Sequence, residues 1–395
     1  MFNMYDRHEG AARLYFDARL RTVLKKPWII LERLPSSYAP NNLPLLHHDP
    51  SIVPNIARLT GIDFRAWQAF ALEETLLHQV HWLNGKGYPT VHIWQGGPSV
   101  ILGHQDTRLP ALERALYALL EQGFSFFVRP SGGRLVVQDD GVINISVILP
   151  DRSLRTVSLT ETFLWMAHWL RRALHLLGYR TNIGEVNGSY CPGQYDVAIY
   201  DSIDQHEHQQ ENTPDVHTIK KVAGIAQRRI ESGVLLVAFL NMHACEHARG
   251  EIAHLFYRLA GAETEVIRHT VSAATRSQLN IEPSKMTSLY VKPVDQNEKN
   301  FLRKNVISAL IRALKDTGHD IMYHHFYNDV EAIHGISQRC VKDESIGRSD
   351  SEQCDEDEKG KKFQSYWHQS LVKVSQATQH LFHRLSLQPV LPRQL

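Results

Sequence analysis

Residues 124–149 read FSFFVRPSGGRLVVQDDGVINISVIL. Aromatic and β-branched runs alternate there with two glycine-bearing breaks, Ser131-Gly132-Gly133 and Asp139-Asp140-Gly141. This pattern predicts strands over 124–129, 135–138 and 142–149, the last two joined by the Asp-Asp-Gly turn. Upstream, 90–94 and 99–102 are short β-rich runs around Gln95-Gly96-Gly97-Pro98, which predicts a hairpin. Downstream, further strands are expected over 197–200, 221–225 and 234–239. Helical spacing of apolar residues predicts helices over 66–83, 108–122, 243–259, 297–316 and 363–385. Another helix is expected over 158–177. Gly123 and Gly178 are natural stops, and Ser158 with Glu161 spells a capping box. Short strands with tight turns, interleaved with helices, predict an α+β (mixed α/β) fold with a mainly antiparallel sheet flanked by helices.

A chain of 395 residues has room for two domains, or for one with large additions. Its formal net charge of +1 gives no pull toward nucleic acid or an acidic membrane. No apolar run reaches membrane-spanning length, and the first residues lack the apolar core of a signal peptide. Cys191, Cys245, Cys340 and Cys354 form no CxxC pair, which fits a reduced cytoplasmic protein. The histidines are scattered. His206 and His208 lie in a polar insert at 201–218, and His243 and His247 are spaced to share a helix face. They read as solvated or half-buried imidazoles, and no metal site is assigned.

The chemistry concentrates in Gly188-Ser-Tyr-Cys-Pro-Gly-Gln-Tyr-Asp196. Glycine and proline place Cys191 on a tight turn, where a thiol can meet a substrate. The alternative is a small buried hydrophobe, the commoner use of a free cysteine. Lys221 follows about thirty residues later in Lys221-Val-Ala-Gly-Ile-Ala-Gln-Arg-Arg229. It is either the cation that serves the thiol or an ordinary strand lysine. Asp196 could orient Lys221 or close a strand end. Arg228 and Arg229 suit acidic carrier domains, or are a solvated edge pair.

Five segments, in order, resemble one family. They are Val100-Ile-Leu-Gly-His-Gln-Asp-Thr-Arg-Leu-Pro110, Arg129-Pro-Ser-Gly-Gly133, Asp140-Gly-Val-Ile-Asn-Ile-Ser146, the Cys191 turn and the Lys221 segment. The chain resembles the biotin/lipoate protein ligase superfamily. Within it, the chain is most similar to the octanoyltransferases that draw on the glycine cleavage system H protein. The resemblance covers roughly 65–290. It implies a catalytic domain at 61–290, after an irregular N-terminal extension at 1–60. A C-terminal helical segment at 291–395 would follow, carrying an acidic disordered insert at 341–362.

The resemblance also implies a hydrophobic tunnel for an acyl chain. Cys191 would be the acyl acceptor and Lys221 its partner. Arg129, Ser131, Gly132, Gly133, Asn144, Tyr190, Asp196, Gly224 and Gln227 would contact substrate. The implied reaction moves an octanoyl group, through a Cys191 thioester, from octanoylated H protein to the lipoyl domains of 2-oxoacid dehydrogenase complexes. Amide donor and amide product are close in free energy, so no cofactor is called for. Arg134 departs from the family pattern, which has a small or apolar residue after the glycines. Three other readings compete: transfer from octanoyl-acyl carrier protein, an ATP-dependent lipoate–protein ligase, and a non-catalytic protein that binds carrier domains.

Overall fold

The computed structural model describes residues 16–33, 65–82, 87–200, 219–243, 246–261, 281–317, 321–326 and 353–384. The expected loop at 201–218, with His206 and His208, lies outside them, as does the start of the acidic insert. Eleven described strands are β1 (Trp28–Arg33), β2 (Thr90–Trp94), β3 (Ser99–Leu102), β4 (Ser125–Val128), β5 (Val136–Gln138), β6 (Val142–Leu149), β7 (Thr181–Ile183), β8 (Val197–Tyr200), β9 (Ile219–Ile230), β10 (Gly233–Asn241) and β11 (Ile321–Phe326). The main helices are α1 (Ala18–Leu24), α2 (Arg65–Leu77), α3 (Leu112–Glu121), α4 (Leu159–Leu176), α5 (Glu246–Leu259), α6 (Gln296–Lys315) and α7 (Gln353–Arg384).

Eight strands form one sheet in the order β11-β1-β2-β6-β10-β9-β8-β7. Its β1–β11 and β1–β2 pairs are parallel, and all its other pairs are antiparallel. A second sheet of three strands runs β4-β3-β5. The α+β expectation therefore holds.

Strand β6 shows how the sequence separates the layers. In VINISVIL, Ile143, Ile145, Val147 and Leu149 face a core shared with α1, α4 and α6. Each such buried side chain contributes about 1.5–3 kcal/mol. Val142 and Ile148 face the opposite core, shared with α2, α3, α5, α7 and the small sheet. Strand alternation puts Asn144 and Ser146 on that second face. The two polar residues of an apolar strand thus point together between the sheets.

Several expectations change. Strands β2 and β3 do not pair with each other: β2 lies between β1 and β6, and β3 between β4 and β5. Both are buried along their whole length, and Gly96-Gly97-Pro98 carries the chain from one sheet to the other. Strands β5 and β6 diverge in the same way. Their linking turn is fixed from outside, because Asp139 accepts from Gly141 N at 2.7 Å and from Arg249 Nε of α5 at 2.8 Å.

Ser158 caps nothing with its side chain. Glu161 accepts instead from the backbone of Asp17 at 2.6 Å, tying α1 to α4. Helix α3 begins at Leu112, after a 3-10 turn at Asp106–Arg108. Helix α5 begins at Glu246, so His243 and His247 share no helix face.

The stretch read as an irregular extension supplies α1 and the inner strand β1. The insert read as disordered is helical from Gln353 onward, within α7. Among the described residues, no helix is long and apolar enough to cross a membrane.

Candidate active site

Strand β9 carries Lys221 into the interior, where it is 0% exposed. Its Nζ lies 2.9 Å from Oδ2 of Asp196, itself 1% exposed. The same amine donates to the carbonyls of Tyr190 at 3.1 Å and Cys191 at 2.5 Å. Asp196 also accepts from Gly193 N at 2.9 Å. The Cys191 turn is therefore wrapped around a buried ion pair. Burial pushes the Asp196 carboxyl up to about 6, against the pull of Lys221 and the Gly193 N–H. Two rings pack here: Lys221 Nζ sits 5.4 Å from the Phe239 centroid, and Tyr190 stacks on the same ring at 5.8 Å.

Cys191 has φ 49°, the one left-handed residue other than glycine among the described residues. That conformation turns its sulfur toward the Ser131-Gly132-Gly133 loop. Arg134 N–H donates to Sγ at 3.1 Å, and Arg129 Nη2 approaches it at 3.6 Å. Arg129 is held by the carbonyls of Gly132 at 2.9 Å and Arg134 at 2.6 Å. Gly133 has φ 98°, and a Cβ there would collide with the Arg129 guanidinium and crowd Sγ. Glycine is needed at this position for both reasons.

The Arg134 side chain turns inward to Asp106 Oδ1 at 3.5 Å. Tyr257 OH donates to the same carboxylate oxygen at 3.0 Å and accepts from Leu135 N at 3.1 Å. Burial raises the pKa of Asp106 and pushes that of Tyr257 well up.

Beyond the sulfur a pocket opens between the two sheets. Phe70, Trp94, Ile101, Val136, Leu235 and Phe239 give it apolar walls. Arg129, Ser131, Cys191 and Gly224 line its reactive side. At Gly224 a Cβ would strike the Phe239 ring, so glycine keeps β9 close to β10. A thiol under two N–H donors, beside an apolar slot, is equipped to hold an acyl chain by its carbonyl end.

Residues 65–271 match the family model described as the lipoyl protein ligase A/B catalytic domain. The chain belongs to this family. Curated relatives include the "Octanoyl-[GcvH]:protein N-octanoyltransferase" of Anoxybacillus flavithermus, 35% identical over 56% of this chain and 72% of that protein. The protein of the same name from Exiguobacterium sibiricum is 34% identical over 55% of this chain and 72% of its own length. The "Lipoyl-[GcvH]:protein N-lipoyltransferase" of Listeria monocytogenes is 32% identical over 50% and 64% respectively. Among solved structures, the putative lipoate protein ligase Ta0514 from T. acidophilum with bound lipoic acid aligns with TM-score 0.44 at 18% identity. That alignment covers 66% of this chain and 83% of the other.

Within this lipoyl ligase fold the expected site residues separate into two groups. Cys191, Lys221, Arg129, Ser131, Gly132, Gly133, Asn144, Asp196 and Gly224 gather around the thiol and the pocket. Tyr190 contributes its carbonyl and its ring packing. Gln227 brings its backbone carbonyl beside Gly132 but turns its side chain away. Its amide donates to Leu159 O at 3.2 Å and accepts from Thr162 at 3.0 Å, on the α4 side of β9.

The two arginines after it are also engaged internally. Arg228 grips the buried Glu74, and Arg229 binds the carbonyls of Leu154, Val157 and Ser158. Neither is a solvated edge cation. The sulfur's hydrogen-bond donors are Arg129 and Arg134 rather than Lys221, whose amine is spent on the turn's carbonyls. Asp106, Tyr257 and the pocket residue Glu73 were not anticipated. Paired carboxylates at Glu73-Glu74 inside the otherwise apolar helix run were the available signal.

Proposed function

We propose that this chain is an amidotransferase of protein lipoylation. It moves an octanoyl group from the H protein of the glycine cleavage system to a lysine of the lipoyl domains of 2-oxoacid dehydrogenase subunits, through a thioester on Cys191. The observation that carries this reading is the position of the Cys191 sulfur, at the wall of an apolar pocket and under two N–H donors. The names of the relatives supply the acyl group and the donor.

In the first half-reaction the Arg129 guanidinium and the Arg134 N–H favour the thiolate. The thiolate attacks the carbonyl carbon of octanoyl-lysine. The C–N bond breaks, and the donor lysine leaves as an amine carrying the proton that the thiol gave up. In the second half, the acceptor amine attacks the thioester carbon. The C–S bond breaks, and the amine's proton returns to the sulfur. No bond is made or lost overall, so nothing is consumed. Lys221 fixes the backbone on both sides of the nucleophile through the carbonyls of Tyr190 and Cys191. Chemistry that depends on a free thiol suits a reducing compartment, and we place the protein in the cytoplasm.

The test mixes the chain with octanoylated H protein and an unmodified lipoyl domain, without ATP. Intact-mass analysis is expected to find octanoate on Cys191 and then on the lipoyl domain. Cys191→Ala is expected to abolish both signals. Transfer that persists in this variant, or that requires ATP, overturns the reading.

A further inference from the structure

The Arg134 N–H that donates to Cys191 Sγ belongs to the peptide joining Gly133 to Arg134. Gly133 has no Cβ to bar that peptide from turning over. Turned over, it would present a carbonyl oxygen to the sulfur and repel a thiolate. The native orientation therefore depends on what holds the loop from behind.

Three contacts do so. The carbonyl of Gly133 lies against Gly103, where a Cβ would collide with it. The next N–H, that of Leu135, donates to Tyr257 OH of α5 at 3.1 Å. The Arg134 side chain reaches Asp106 Oδ1 at 3.5 Å. One carboxylate ties the three together. Asp106 accepts from Tyr257 OH on Oδ1 at 3.0 Å and from Gly103 N on Oδ2 at 2.9 Å. Asp106 is 0% exposed, Tyr257 is buried, and neither lines the pocket. Packing alone does not call for a carboxylate here, because an apolar group of the same shape would fill the space without the cost of desolvating a charge.

We propose that Asp106 and Tyr257 are positioning residues for the nucleophile, together holding the Gly133–Arg134 peptide with its N–H toward Cys191 Sγ. Their effect on turnover rests on the acyl-transfer reading above; their effect on the thiol does not.

The test uses two variants of the full chain. Tyr257→Phe keeps the ring and removes the hydroxyl, so Leu135 N–H and Asp106 each lose a partner. Asp106→Asn keeps the shape and removes the charge. One readout is steady-state octanoyl transfer from octanoylated H protein to a lipoyl domain. The other is the pH dependence of Cys191 alkylation by iodoacetamide, located by peptide mass spectrometry. Each variant is expected to lose about ten- to hundredfold in kcat, with KM for octanoylated H protein unchanged within about twofold. Its alkylation profile is expected to move to higher pH by about half a unit or more, because a thiolate with a misaligned donor is harder to form. Leu116→Val removes a methylene from the same core and is expected to leave the profile in place.

A folded variant of either residue whose alkylation profile stays in place, or whose kcat stays within about twofold of wild type, overturns the proposal. An equal displacement in Leu116→Val also overturns it. Failure of both variants to fold assigns the pair to stability alone and has the same result. If wild type transfers no octanoate while the variants' alkylation profiles move, the acyl-transfer reading falls and the positioning role stands.

Discussion

At the residue scale, the site is organised by one amine. Lys221 is buried with Asp196 and reaches two carbonyls of the turn, one of them that of Cys191 itself. A non-glycine residue in the left-handed region costs roughly 1–2 kcal/mol, and these bonds hold Cys191 there. Lys221→Met strands the Asp196 carboxyl without its cation. The expected cost is about 3–5 kcal/mol of stability, measured by urea unfolding, together with loss of acyl transfer.

Asp196 carries its own signature. Its carboxyl titrates near 6 in the fold, against an ordinary value of 3.8. Between those values the folded chain keeps a proton that the unfolded chain has released. Its contribution to stability therefore falls as pH rises from about 4 to about 6, and is flat above that. Asp196→Asn removes this contribution, so between pH 4.5 and 6.5 its urea midpoint should rise more, or fall less, than that of wild type. The thiol, the lysine and the glycine turn were legible in the sequence because each sits in a compact motif. The donors to the sulfur were not: Arg134 acts through its backbone, which leaves no mark on residue type.

At the scale of elements, the last of the described helices, α7, supports the reactive loop. Thr378 of α7 accepts from Val128 N at 2.9 Å and from Trp67 Nε1 at 3.4 Å. Val128 ends β4, an edge strand of the small sheet, and directly precedes Arg129. Thr378→Val leaves a buried N–H without its acceptor, at a cost of about 1–3 kcal/mol. Loosening the root of Arg129 should also change the alkylation rate of Cys191 by iodoacetamide, which a purely global loss of stability would not do under native conditions.

Strand and helix identities were mostly readable from periodicity. Pairing was not. The runs around Gly96-Gly97-Pro98 and around Asp139-Asp140-Gly141 have hairpin grammar, yet each turn passes the chain between sheets. What decides this is burial on both faces and a distant arginine, Arg249, gripping Asp139. Local turn chemistry is blind to both.

For the whole molecule, the segments outside the family match are part of one body. Strand β1 sits between β11 and β2, and α7 lays Trp367, Val374 and Leu381 into the core beside α2. Removing residues 353–395 uncovers Trp67 and the α2 face. The expected product is insoluble or lacks a cooperative thermal transition, checked by calorimetry of the purified chain. The sequence hid this because β1 lies in a proline-rich stretch without a period, and because the charged start of α7 has the composition of a disordered tract.

The pairing of Trp28 with Ile321 and of Arg33 with Phe326 has a consequence for biogenesis. The strand at Trp28–Arg33 must wait for its parallel neighbour until all the chain between them, out to Phe326, has left the ribosome. Throughout translation one flank of that ribbon stays open to foreign partners, so slow elongation or premature termination should leave a nascent product that chaperones must shield.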